Sequence, residues 1–188
     1  MAKPVYKHPA FVIETSDKRI ESENKRLWLS LTIDSDLKES IVVILKNPSR
    51  ATKEISDKTV FNITNYIFKN RNKFKPLNNI GNIIIVNLIP FYETYSELLA
   101  NKNIKIVDKE NLKTIETLTK THKNVIIAWG NHQSGLYKEY EILKAEVLGY
   151  LKSNGNSVHY VDKFPDQGNP KHAQIWGYED ELKQMKQD

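Results

Sequence analysis

Apolar residues along the chain follow two patterns, and their alternation predicts the fold class. Uninterrupted aliphatic runs at Ile41 to Leu45, Ile83 to Val86 and Val125 to Ala128 have the length and composition of strands buried on both faces. Between them, Val60, Ile63, Tyr66 and Ile67 recur at helical spacing behind Asp57, and Leu112, Ile115 and Leu118 do so behind Asp108, each aspartate suited to cap its helix. A longer helix is expected over Leu136 to Lys152, with Tyr140, Leu143, Val147 and Tyr150 or Leu151 inward and Gly155 as its stop. Ser157 to Val161 reads as a last strand. Upstream, Phe11 to Glu14 and Arg26 to Ile33 are expected as strands, the second alternating Leu27, Leu29, Leu31 and Ile33 with Trp28, Ser30 and Thr32. A short helix is expected from Thr94 or Ser96, and a polar helix from about Tyr178.

Strands of 4 or 5 aliphatic residues separated by helices imply crossover connections and a parallel sheet covered on both sides. The expectation is an α/β protein: a three-layer α/β/α sandwich with a four-stranded, mostly parallel central sheet and an N-terminal antiparallel flank. Residues 1–23 would form an N-terminal extension or edge strand, 24–178 a single domain, and 179–188 a polar tail or helix end.

The chain has 188 residues, 39% of them apolar and 27% charged, with 7 Gly and 7 Pro, which suits one packed domain and excludes disordered or fibrous classes. Zero cysteines remove disulfides, thiolate nucleophiles and cysteine-based metal motifs. No apolar leader or membrane span is visible, so a cytoplasmic protein is the expectation. The net charge of +5 is unevenly distributed: residues 1–80 hold 15 basic and 9 acidic side chains, the remainder 13 and 14. Lys69, Arg71, Lys73 and Lys75 surround Phe74 in a seven-residue stretch that could follow a phosphate backbone, with a solvated loop as the plainer alternative.

In open parallel sheets ligands bind beyond the carboxyl ends of the strands. Polar groups fall there in this sequence: Asn47-Pro48-Ser49 after the first aliphatic strand, Asn87 after the second, Trp129-Gly130-Asn131-His132 after the third, and the loop Gly168 to His172, with Lys171, after the last. Glycine fingerprints of dinucleotide enzymes, P-loops and nucleophile elbows are absent. No carboxylate stands at the first strand end, and Asp57 is more simply a helix cap. Neutral amides suit recognition of a planar amide edge such as a nucleobase. Phe91, Tyr92 or Trp129 could stack on one, although a Trp ending a buried strand is more often core. His132 and His172 are rival imidazoles, whereas His8, His122 and His159 read as structural. No metal and no cofactor are expected, since His132 and His172 lack a carboxylate at ligand spacing.

Arg26-Leu-Trp-Leu, VVILKNPSRA with Asp57-Lys-Thr-Val60 behind it, IIVNLIPFYET, VIIAWGNH and GNPKHAQIW occur here in the order and spacing of a bacterial and phage family, domain of unknown function 1643, which the chain resembles over about residues 24–178. Members of that family often carry Pro where this chain has Ala173, and a small or apolar residue where it has Lys46. More distantly, the same blocks resemble the uracil-DNA glycosylase superfamily, which implies a parallel α/β/α sheet with its motifs at strand ends. By that resemblance Asn47-Pro48 corresponds to the pair that places an attacking water, Asn87 to the asparagine that reads the base, and His172 to the histidine that hydrogen-bonds the leaving base. Ala128-Trp129-Gly130 matches the third-strand block. The strong-base Asp version of the first motif and the Ser-Pro-Leu wedge are missing.

The expectation is therefore a protein that recognises a nucleobase or nucleotide, with Asn47 and His172 as catalytic candidates and Pro48, Ser49, Asn87, Phe91, Trp129, Gly130, Asn131 and His132 as ligand contacts. Lys69, Arg71, Lys73, Lys75 and Lys171 are the candidate nucleic-acid contacts. It would act as a glycosylase-like hydrolase of an N-glycosidic bond, or as a non-catalytic nucleotide-binding module or interaction protein. No membrane partner is expected.

Overall fold

In a computed structural model, residues 6–92, 106–131, 136–163 and 168–186 are described. They form seven strands and three α-helices: β1 (Glu14–Ile20), β2 (Lys25–Thr32), β3 (Glu39–Leu45), α1 (Lys58–Asn70), β4 (Ile80–Asn87), α2 (Lys109–Thr121), β5 (Asn124–Ile127), α3 (Tyr137–Ser153), β6 (Ser157–Val161) and β7 (Leu182–Gln184). The strands make one sheet in the order β1-β2-β4-β3-β5-β6-β7. β3 runs parallel to β4 and β5, and β5 to β6, while β1, β2 and β7 attach antiparallel. The expected four-stranded sheet is thus the parallel centre of a seven-stranded mixed one.

Both faces of that centre are covered, which explains why its strands are aliphatic throughout. Ile41, Val43, Leu45, Ile83 and Ile85 point to one side, where they pack with Val60, Ile63, Tyr66 and Ile67 of α1. Val42, Ile44, Ile84 and Val86 point to the other and meet Leu112 and Ile115 of α2 and Tyr140, Leu143, Val147 and Leu151 of α3. The two aspartate caps form as expected: Asp57 Oδ1 accepts from the Val60 amide at 2.9 Å and Asp108 Oδ1 from that of Asn111 at 2.8 Å. Gly155, at φ +64°, follows α3 in the left-handed region.

Two edge elements differ from expectation. Phe11 lies outside any strand and stacks on Phe68 at 3.8 Å, and the polar stretch that follows it forms β1 instead. The C-terminal segment expected as a tail or helix end contributes strand β7, paired with β6 through Tyr160↔Lys183. In both cases main-chain hydrogen bonds to an open sheet edge decide the structure, and these carry no side-chain periodicity. The short helix expected from Thr94 or Ser96 falls outside the described residues. Among the described residues no helix is long and apolar enough to cross a membrane.

Candidate functional site

The parallel strands end together, and the loops that follow them supply the candidate site. Asn87 is the last residue of β4 and is fully buried. Beside it, at the start of antiparallel β2, Arg26 is only 1% exposed. Its Nη2 donates to Asn87 Oδ1 at 3.0 Å and its Nη1 to the Ala51 carbonyl at 2.8 Å, with the Tyr92 ring 5.8 Å from Cζ. Burial pulls the Arg26 pKa below its usual value, partly offset by Tyr92, Asp57 and Asp17, yet a guanidinium stays charged in a protein. Arg26 Nε and Asn87 Nδ2 are buried and unpartnered. An unpaired buried donor costs about 1 to 3 kcal/mol, so these atoms call for an explanation.

The turn after β4 is held by a different amide. Asn111, in the first turn of α2, donates through Nδ2 to the carbonyls of Asn87 at 2.8 Å and Leu88 at 3.1 Å. The Asn87 side chain is thereby released from any duty to its own turn.

Across the strand ends, His172 follows β6 in a loop that returns over β5. Its Nδ1 accepts from the Gln174 amide at 3.2 Å, which leaves the proton of the neutral ring on Nε2. Burial, reinforced by Lys46 and opposed by Asp57, pushes its pKa down to about 4, so the imidazole is neutral at pH 7. Lys46 donates to the Asn131 carbonyl at 3.1 Å, and burial lowers its pKa as well. Gly130 sits at φ +67° against the ring-bearing side of His172. A cavity of about 310 Å³ opens here between Gly130, Asn131, Asp162, Pro170, His172 and Ile175. Asp57, the acid whose charge opposes the shift at His172, has both oxygens engaged, by the amides of Val60 and Ala51.

Several sequence candidates lie in this region. Asn47, half-buried, donates to the Pro48 carbonyl at 3.2 Å, and buried Pro48 and half-buried Ser49 continue the same loop. Asn131 Oδ1 accepts from Asn169 at 3.2 Å, and Asn169 accepts from Lys144 at 2.8 Å, so the third and fourth loops are tied together. Phe91 is half-buried, packs on the α2/α3 side of the core and has Lys25 Nζ 5.5 Å from its ring centre. Trp129 is 2% exposed and packs within the same core, while it also lines a cavity of about 360 Å³ with Lys144, Asn169 and Pro170. His132 falls outside the described residues.

The basic candidates sit elsewhere. The helix α1 runs back from the carboxyl end of β3 to the amino end of β4, so Lys69, Arg71, Lys73 and Lys75 gather at the opposite end of the sheet. Arg71 pairs with Asp34 at 3.3 Å, Lys69 lies 4.1 Å from the Tyr178 ring centre, Lys73 is 3.7 Å from Glu179, and Lys75 is exposed at the start of a 3₁₀ turn. Lys171 bridges Asp162 at 3.1 Å and Asp180 at 2.6 Å.

Arg26, Lys46 and Asn111 were not singled out from sequence as site residues. Arg26 occupies the phase of β2 shared with Trp28 and Ser30, which reads as the polar face. Lys46 carried a signal only through the family resemblance, which implies a small or apolar residue at its place. Asn111 is hidden in a helix start, where asparagine is unremarkable.

The blocks that supply this site fall within one matched segment. The family model described as "Protein of unknown function (DUF1643)" matches residues 25–173, which span β2 through the His172 loop. Nothing among curated proteins or solved structures matches the chain. With the match extending over most of its length, the chain belongs to the DUF1643 family.

Proposed function

We propose that the protein recognises a nucleobase or nucleotide at the carboxyl ends of β3, β4 and β5, and that it acts there as a glycosylase-like hydrolase of an N-glycosidic bond. The observation that carries the reading is Asn87 Nδ2, a buried donor without a partner at the end of a central strand. At the ends of the same sheet stand further donors: a neutral His172 with its proton on Nε2, the buried guanidinium of Arg26 and the half-buried ammonium of Lys46. Such a site suits a ligand rich in acceptor oxygens. Cleaving an N-glycosidic bond builds negative charge on the departing base, and preorganised donors stabilise it; loss of one typically costs on the order of 100-fold in rate. Asn47 would hold a water without deprotonating it. The relationship to the uracil-DNA glycosylase superfamily is part of this proposal, supported by a parallel centre with its motifs at strand ends.

A second reading, a binding module without turnover, is favoured by the engagement of both Asp57 oxygens, which leaves that acid unsuited as a base. Incubation with single- and double-stranded oligonucleotides carrying uracil and other modified bases, followed by detection of abasic sites, tests the first. A thermal-shift screen of nucleosides and nucleotides tests recognition itself, since saturation at 100 times Kd adds about 2.7 kcal/mol of stability. Shifts without abasic product select the binding module; no shift and no product overturn both.

A further inference from the structure

We infer that Arg26 is a positioning residue that locks Asn87 as a donor-only reader, so that the ligand group it meets is an acceptor oxygen. This rests on the nucleotide reading above. A guanidinium carries five N–H groups and no acceptor, so the amide atom 3.0 Å from Arg26 Nη2 has to be Oδ1. An unrestrained asparagine presents either end of its amide. Here a flip would set N–H against N–H inside a fully buried pair, and the amide has one orientation only.

Arg26 is itself immobilised. Its second N–H group donates to the Ala51 carbonyl at 2.8 Å, and the Tyr92 ring flanks it. The planar fork joins two fixed acceptors, which a single ammonium cannot do in the same geometry. The Asn87 main chain is fixed as well, by its register with Leu45 of β3 and by Asn111 on its carbonyl. With backbone and Oδ1 both held, Nδ2 points in the one direction left, and there it has no protein partner. The charge on Arg26 also polarises the amide and strengthens its remaining N–H groups as donors. Because Asn87 is fully covered, a ligand group reaches Nδ2 only when the side chains over it part.

The acceptor has two chemical sources, a nucleobase carbonyl or a phosphate oxygen. Calorimetric titration with uridine and inosine, which carry carbonyls, with cytidine and adenosine, which carry amino groups at the corresponding edge, and with ribose 5-phosphate separates them. For a carbonyl, uridine or inosine binds about tenfold tighter than its amino counterpart. Asn87→Asp, nearly isosteric, then weakens that binding by about tenfold, because Nδ2 becomes an oxygen, while Tm stays or rises as Arg26 gains a carboxylate. Arg26→Lys, which frees the amide to turn, narrows the carbonyl-to-amino ratio to within about threefold, a readout that a merely structural role would not move. Binding of ribose 5-phosphate that Asn87→Asp weakens, with the nucleosides undistinguished, supports the same role with an oxyanion as the acceptor. Nucleoside binding that responds to neither variant overturns the inference alone, as does a clear fall in Tm for Asn87→Asp with affinity intact. That last result would mean an ordered water occupies Nδ2. No response to any probe overturns the nucleotide reading and this role with it.

Discussion

His172 rests against the bare α-carbon of Gly130: a Cβ built on that glycine would lie 2.8 Å from the Cβ of His172. The same glycine holds φ +67°, where a side chain is strained regardless of space. Gly130→Ala is therefore expected to lower stability by about 1 to 3 kcal/mol and to displace the imidazole. Urea unfolding measures the first effect and ligand titration the second. A variant as stable as the parent, with affinity unchanged, would show that the contact is slack.

His172 also predicts an acid sensitivity. Its folded pKa of about 4 lies below the ordinary 6.5. Between those values the unfolded chain binds a proton that the folded chain does not, so the contribution to stability is complete above about pH 6.5 and is lost as pH falls toward 4. His159, also pushed down by burial, contributes with the same sign. His172→Asn, which keeps an acceptor for the Gln174 amide, should remove up to about one proton from the slope of unfolding free energy against pH in this window. Denaturant titrations at half-unit pH steps check it; an unchanged slope would mean that His172 titrates normally in the folded state.

Asn87→Ala is costlier than its place at a strand end suggests. An amide that faced only an empty pocket could be removed at little cost. Because Oδ1 is the acceptor for buried Arg26, truncation leaves a charged donor unpartnered, and stability should fall by about 1 to 3 kcal/mol. Thermal melts of Asn87→Ala beside Asn87→Asp give the comparison: the alanine variant should melt lower and the aspartate variant should not.

Lys171→Ala tests whether that lysine serves the fold or a nucleic-acid ligand. It removes the bridge between Asp162, just after β6, and Asp180, just before β7. With all three groups partly exposed, the loss should be modest, about 1 kcal/mol. Nucleic-acid affinity should be unchanged, and a drop in it at constant stability would favour the contact reading.

The basic cluster at the opposite end of the sheet makes an independent prediction. If Lys69, Arg71, Lys73 and Lys75 hold single-stranded nucleic acid, their joint replacement by Ser should flatten the slope of log K against log salt by roughly 3, at about 0.7 per phosphate contact. Nucleoside binding at the strand ends should be unaffected. An unchanged slope would mean that Arg71 and Lys73 serve only Asp34 and Glu179.

By itself the sequence determined whatever depends on neighbours along the chain. The runs Ile41 to Leu45, Ile83 to Val86 and Val125 to Ala128 lack a polar side and so had to become strands covered on both faces, while Asp57 and Asp108 cap their helices through amides three residues away. Asn47, Asn87 and Asn131 were legible as strand-end residues for the same reason. What only the tertiary structure decided is which of these groups meet. Arg26 and Asn87 stand 61 positions apart and touch because β2 inserts beside β4 in the sheet order, a choice of neighbour that no local pattern encodes. The polar strands β1 and β7 were decided by main-chain pairing to open edges, to which side-chain periodicity is blind. The separation of the Lys69 to Lys75 cluster from the strand ends likewise follows from the direction of α1, since a crossover helix carries its C-terminus to the amino end of the next parallel strand.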